Sequence, residues 1–516
     1  MKKLFPLLFI LLGLSLFCRA QSYHFRHYEV ENGLSYNSVI SSLQDKKGFL
    51  WFGTKDGLNR FDGNDFKIFR NDPDRPGTIG DNFVHCLFED KSQHLWVGTR
   101  RGAFRYHPLN ETFSLVPYTK NKEIRDLKVD AEGNIWYIAG TTLFRYNEKS
   151  KKLSTFDQRE HALVTSILLT IKGELWLSTT DGFIQKLNKD GRKFENYNVF
   201  NHSEPAISNW IEKIYDTGKG VILIGTSNQG VKAFNTSTLA YKDVLTRNPD
   251  QTWIYARDFV EKNKDEYWIG TESGLFIYHV KTGHVINLRK QINDPYALSD
   301  NSVYTLTRDK EGGVWAGTYF GGLNYYPNQL TTFNKFFPQG KSNSLSGYAV
   351  REICSDKNGD LWIGTEDGGL NLLNPASGIF KNFRPSGTKS SIAHSNIHGL
   401  LAVDNELWVG TFEQGLDVFD IRTHQVLRRY RAGFAPNQLK SNFIESLLKT
   451  RAGDILIGTS VGLYRYNKSS DDFTLLNEVP GNYHYSTLYE DRNGTIWAGT
   501  LRDGLYFYNP VTHTSG

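Results

Sequence analysis

Cysteine is nearly missing from this chain, with three in 516 residues, and a fold stapled by disulfides is thereby excluded. Cys86 and Cys354 stand 268 residues apart, each inside an apolar segment, and read as two buried free thiols. Beyond the N-terminus no apolar run approaches eighteen residues, so no later segment is expected to cross a membrane. Basic tracts of the kind that grip a phosphate backbone are missing too, and nucleic acid is not an expected partner. No 3.6-residue apolar stripe runs through the sequence, which argues against helical repeats.

The one long apolar stretch is a leader. Lys2 and Lys3 precede Leu4–Phe17, and Cys18-Arg19-Ala20 follows, a pattern read as a secretory signal cleaved after residue 20. Fourteen helical residues reach only about 21 Å, short of the ~30 Å hydrocarbon core. Phe17 stands where a lipoprotein signal would carry a small residue. Removing Lys2, Lys3 and Arg19 takes the formal charge from +5 to +2. The expectation is a periplasmic or secreted protein.

What the chain has in abundance is a repeat. Eleven times, every 40 to 48 residues, it writes a version of [Leu/Ile/Val]-Trp-x-Gly-Thr followed by a Gly-Leu pair, and nine of its eleven tryptophans sit at that position. Leu223 and Leu456 take the tryptophan's place in two repeats. Around Trp315 the unit reads as short β-branched and aromatic runs divided by Gly, Asp and Asn, which predicts four strands. Asp-x-x-Gly punctuates the first hairpin at Asp45, Asp130, Asp309, Asp356 and Asp491. Such an Asp can bond its own turn while the Gly takes positive φ.

Four-stranded units of this length are β-propeller blades. Eleven exceed the four to eight of one propeller, so the fold class expected is all-β, with tandem propellers of four-stranded blades. The segment His24-Phe25-Arg26-His27-Tyr28 matches the last strand of a repeat whose beginning is missing. It is expected to close a first, seven-bladed ring over residues 21–330 by joining the blade of Trp315. A partial second propeller of about four blades would occupy 331–516, opened by Phe333–Phe336 in the same manner. The chain should end after the third strand of repeat eleven, leaving that ring incomplete.

Two segments carry a family resemblance. Glu31-Asn32-Gly33-Leu34-Ser35-Tyr36-Asn37-Ser38-Val39 and Asp45-Lys46-Lys47-Gly48-Phe49-Leu50-Trp51-Phe52-Gly53-Thr54-Lys55-Asp56-Gly57-Leu58-Asn59-Arg60-Phe61-Asp62-Gly63 resemble the opening signature of two-component regulator propeller repeats. These occur in the extracytoplasmic sensor half of hybrid two-component histidine kinases of saccharolytic bacteria. The resemblance implies two seven-bladed propellers, a β-sandwich, one membrane span, a kinase, a receiver and usually a DNA-binding domain. Everything after the propellers is missing here, so the chain is read as a sensor fragment, a homodimer in the full-length receptor.

One position refuses to repeat. Counting back from each tryptophan to the inner strand gives Ile40, His85, Arg125, Thr165, Glu212, Arg257 and Tyr304, then Arg351, His398, Glu445 and Ser486. A polar, variable collar at a channel mouth can recognise hydroxyl and carboxylate groups, although a wet channel lining needs no ligand. His85, Arg125, Glu212, Arg257 and Tyr304 are the candidate ligand-binding residues. With them go Trp210 and Trp253, the two tryptophans outside the motif, which could face sugar rings or merely cover a loop. The recurrent Asn37, Asn82, Asn209, Asn301, Asn396 and Asn442 are read as turn caps.

Catalysis is weighed and not favoured. Propellers also host lyases, hydrolases and quinoproteins, but most Asp residues here fall in hairpin turns. The histidines lack metal-ligand spacing, no nucleophile motif stands out, and vicinal cysteines are missing. The reading is a non-catalytic, ligand-sensing region without cofactor or metal, binding oligosaccharides from polysaccharide breakdown. A propeller enzyme acting on glycans and a protein-binding scaffold are the alternatives.

Overall fold

The computed structural model describes residues 23–516 except 141, 157–162, 202–206 and 329–332. The signal segment 1–20 lies outside the described residues. Among the described residues the fold is all-β, in eleven four-stranded antiparallel sheets. No helix among the described residues is long and apolar enough to cross a membrane.

The first strand, β1 (Arg26–Tyr28), is followed by a complete sheet of β2 (Val39–Gln44), β3 (Leu50–Thr54), β4 (Gly57–Phe61) and β5 (Phe66–Phe69). Burial along this sheet explains its sequence. Every residue of β3 is buried, because neighbouring sheets cover both faces of a middle strand, whereas β5 is largely solvated. That is why the repeat is most uniform at Leu-Trp-x-Gly-Thr and drifts outward.

The turn aspartate has two jobs. Asp45 Oδ1 accepts the Phe49 N–H at 2.9 Å, fixing the hairpin, and Oδ2 accepts the Trp51 indole N–H at 2.8 Å. The same clamp joins Asp90 to Trp96, Asp130 to Trp136, Asp309 to Trp315, Asp356 to Trp362 and Asp491 to Trp497, at 2.7–3.1 Å. A buried indole N–H needs an acceptor, and this one comes from the same turn. The indole face meanwhile meets an aromatic on the next sheet, as Trp51 meets Tyr106 at 5.0 Å and Trp268 meets Tyr326 at 5.2 Å. The motif threonine closes the second hairpin, Thr54 Oγ1 donating to the Gly57 carbonyl at 3.0 Å.

Two compact units result, Met1–Thr331 and Thr332–Gly516. In the first, the inner strands of seven sheets touch in chain order, and Val303–Arg308 touches β2 again, which makes a ring. The seam is specific. β1 pairs with Leu323–Tyr326 as the fourth strand of the sheet that also holds Val303–Arg308 and Val314–Thr318. Across it, Ser42 bonds Thr305 at 2.8 Å and Trp315 meets Phe61 at 5.6 Å.

The second unit holds four sheets whose inner strands neighbour one another in order. Its two end sheets expose apolar side chains on the inner strands, Ile353 at 54 % and Tyr489 at 62 %. Three expectations are corrected here. Thr514–Ser515 pairs with Tyr508 and Asn509, giving the eleventh sheet a short fourth strand. Phe333–Phe336 forms no strand, because the sheets of this unit already carry four strands each. Cys354 is half-buried rather than buried, packed at the margin of the core shared with the next sheet; both Cys86 and Cys354 are free.

Candidate functional site

Each of the eleven inner strands breaks register with its neighbour at the same place, as between Val84 and Cys86 or between Ala256 and Asp258. The residue left unpaired is the variable one: Ile40, His85, Arg125, Thr165, Glu212, Arg257 and Tyr304 in the first unit. In the second unit it is Arg351, His398, Glu445 and Ser486. A β-bulge releases one residue from the ladder and re-aims its side chain. A position free of pairing and packing constraints is free to vary.

The recurring motif glycine makes room for the bulge. Gly98 lies opposite Cys86, the residue after the bulge. A Cβ there would collide with Cys86 Sγ and lie 3.0 Å from Ile124 Cγ2 on the next sheet. At Gly53 it would collide with Ser41 Oγ and lie 2.6 Å from Val84 Cγ1. At nine of the eleven bulges glycine thus gives room to the bulged strand and the adjoining blade, while Ile138 and Ser178 stand opposite the other two.

In the first unit the bulge residue and its successor border the same space, the successor also reaching toward the next sheet. Both tiers line one cavity of about 670 Å³, the outer tier of bulge residues and an inner one of Ser41, Cys86, Asp126, Ser166, Lys213, Asp258 and Thr305. His85, Arg125, Glu212, Arg257, Tyr304 and Trp210 all reach this cavity. Trp253 does not: it bridges Arg247 in its own loop, with that guanidinium 3.7 Å from the ring centroid.

Arg257 is the most constrained group. It donates to Glu212 at 2.9 Å and to Glu272 at 2.7 Å, and it lies between the Tyr255 and Tyr304 rings at 4.0 and 4.2 Å. Tyr255 adds a bond to the second oxygen of Glu212 at 2.8 Å. Such a clamp presents the Tyr304 ring and the remaining guanidinium edge in one fixed orientation. Across the channel the His85 ring packs on Phe83 at 4.3 Å. Burial, helped by the Arg100 and Arg125 charges and opposed by Glu123, pushes the imidazole down to about 4, so it is neutral at pH 7. Its Nε2 lies 3.3 Å from Glu123 Oε1 but is not aligned for a hydrogen bond. The Trp210 indole N–H is likewise buried without an acceptor among the described residues.

Deeper, burial works against the Lys213 charge, yet Asp126 and Asp258 outweigh it and hold the ammonium above its usual range. Burial raises the Asp258 carboxyl despite Lys213 and the Leu306 N–H. Asp126 is also buried, but Lys128, Lys213 and the Ile167 N–H keep it below the usual carboxylate range. The floor carries charges of both signs.

Several lining groups escape the count to the inner strand. Phe83, Glu123 and Trp210 stand two residues before the bulge, and Lys55 and Tyr319 stand just after the motif threonine. These two positions are joined by a recurring backbone bond, Arg100 N–H to the Phe83 carbonyl and Glu272 N–H to that of Tyr255. Both vary from repeat to repeat, a signal the sequence does carry. Four of the six asparagines act as caps: Asn37, Asn82, Asn301 and Asn442 side-chain oxygens accept the N–H that opens the preceding return loop, at 2.7–2.9 Å, whereas the Asn396 oxygen is buried with no donor among the described residues.

In the second unit the bulge residues also converge. Glu445 accepts from Arg351 at 2.6 Å and from His484 at 3.1 Å, and lies 3.5 Å from His398. Against the effect of burial, these partners draw its carboxyl down to about 2.

Known proteins share this repeat and its arrangement. The repeat model described as "Two component regulator propeller" matches residues 33–56, 78–101, 297–320, 344–367 and 479–502. Histidine kinase P4 of Formosa agariphila is 31 % identical over 96 % of this chain, which spans 37 % of that protein's length. Among solved structures, the extracellular domain of a hybrid two component system of B. thetaiotaomicron is similar over 96 % of this chain and 78 % of its own, at TM-score 0.57 and 22 % identity. The extracellular domain of a one component system from that organism aligns over 96 % and 73 %, at TM-score 0.52 and 20 % identity.

Proposed function

Since this chain belongs to the two-component regulator propeller family, we propose that it is the ligand-sensing, non-catalytic region of a hybrid two-component sensor. On this reading it works outside the cytoplasm, after loss of residues 1–20, as a seven-bladed propeller over 21–330 and a partial one over 331–516. Its ligand is an oligosaccharide released from a polysaccharide. The observation that carries this is the bulge itself, which brings the variable inner-strand residue of each of the seven first-unit sheets to the border of one 670 Å³ cavity. That volume suits a small ligand. Its lining combines flat aromatic faces, Phe83, Tyr304 and Tyr319, with groups that want hydrogen-bond partners, the His85 Nε2 and the Trp210 N–H. Rings with an apolar face and hydroxyl edges match both. Signalling would follow from differential affinity for two arrangements of a homodimer.

The test is melting temperature of the purified chain against a panel of defined oligosaccharides, with product analysis in parallel. A selective rise with one sugar, lost in His85→Ala and Tyr304→Ala, supports the sensor. Cleavage of the sugar would replace it with an enzyme, and no response to any glycan would remove the carbohydrate assignment.

A further inference from the structure

The motif tryptophan is replaced by Leu223 and Leu456, and in the same two repeats the turn aspartate six residues earlier is replaced by Thr217 and Thr450. Thr170 also takes the aspartate's place before Trp176, whose indole N–H turns to Glu174, so only the two leucine repeats lack both groups. The surroundings of the two leucines differ, however. Across the hairpin from Trp51, Trp96 and Trp136 stand Arg60, Arg105 and Arg145, whose guanidiniums lie 5.2–5.8 Å from the rings. Leu456 keeps such a neighbour in Arg465, and Tyr508 is buried in the same cluster. Leu223 faces Ala233.

Two bulky groups are therefore missing from one slot between blades, and the groove there measures about 700 Å³, against about 580 Å³ for its counterpart beside Trp51 and Arg60. Leu223, Ala233, Val244, Tyr267, Tyr278 and Val280 wall it, and it shares no residue with the central channel. Tyr278 is the counterpart of Tyr106, the ring that Trp51 meets in its own slot. Four lysines stand at its edge. Lys219 is taken by Glu261 and Lys281 by Asp265, each at 2.9 Å. Lys242 and Lys264 have no acceptor for their ammonium groups among the described residues.

We propose that this slot is a second binding site, separate from the channel, for a small planar aromatic anion. The ring enters where an indole packs in the other repeats, between Leu223 and Tyr278, and the anionic group meets Lys242 and Lys264. Apolar walls with a few charged groups at the mouth are what such a ligand requires, and a charge-assisted bond to an ammonium sets its orientation.

The experiment is calorimetric titration of the whole chain with indole-3-acetate and with uncharged indole. Indole-3-acetate is expected to bind more tightly than indole. Leu223→Trp, which restores the repeat's own residue, abolishes binding of both, and Ala233→Arg does so independently should the first variant fail to fold. Replacing Lys242 and Lys264 by Ala weakens indole-3-acetate about tenfold and leaves indole within about twofold. Undiminished binding to Leu223→Trp or Ala233→Arg overturns the site, as does no binding of either probe at millimolar concentration. Equal affinity for the two probes overturns the anion.

Discussion

Substituting Gly98 by alanine tests whether the bulge positions the channel residues. The new methyl group collides with Cys86 Sγ and sits 3.0 Å from Ile124 Cγ2 and 3.2 Å from the Ile124 carbonyl oxygen. The thiol can turn away, but the carbonyl belongs to the next blade's inner strand and cannot move without opening the interface. Overpacking of this kind costs about 1–3 kcal/mol, and the backbone contact puts Gly98→Ala near the upper end. At Gly133, by contrast, an added Cβ would have nothing within 4 Å, and φ is +81°, so Gly133→Ala carries only left-handed strain, roughly 1 kcal/mol. Urea unfolding followed by tryptophan fluorescence, with unchanged m-value, measures both. Cys86→Ala placed on Gly98→Ala should recover part of the loss, the share due to Sγ, and leave the share due to Ile124. The His85 environment should shift in the same variant, since relief of the clash moves the strand segment that carries it. Should Gly98→Ala cost no more than Gly133→Ala, the glycine would not be what admits the bulge.

Two further outcomes are expected. Asp309→Ala strips the Trp315 indole and the Gly313 N–H of their acceptor at 3.1 and 2.6 Å, beside the ring seam. A buried donor left unsatisfied costs about 1–3 kcal/mol, so the loss should exceed that of an exposed Asp such as Asp503→Ala, by the same urea measurement. Stability should also fall at acid pH in two windows. His85 is held neutral, its pKa lowered from 6.5 to about 4, so between those values the unfolded chain binds a proton that the folded one does not. Glu445 is held ionised, lowered from 4.5 to about 2, so its contribution is present above about pH 4.5 and is lost as pH falls toward 2. His85→Phe should flatten the first window and Glu445→Gln the second in melting curves against pH; an unchanged slope in either would refute the assignment.

The sequence by itself determined the repeat, the four strands, the hairpin turns and even which residue of each inner strand would stand apart. These are local: alternation, turn chemistry and a motif core every 40 to 48 residues are written repeat by repeat. It also placed Arg26–Tyr28 as an outer strand, because a strand-plus-turn pattern with no preceding partner strand needs one elsewhere. Only the tertiary structure decided what stands opposite what. That the variable residues are bulges, with their first-unit successors bordering the same space, depends on pairing register, which periodicity does not encode. The clamp on Arg257 joins Glu212 of the preceding sheet's inner strand to Glu272 of the turn after Glu266–Thr271, and the separation of Trp253 from the channel follows from a loop folding on Arg247. The void beside Leu223 differs from the filled slot beside Leu456 through Ala233 and Arg465, residues that mean nothing until they are paired. Packing between blades is a non-local fact, settled when the ring closes and each side chain finds what occupies the space beside it.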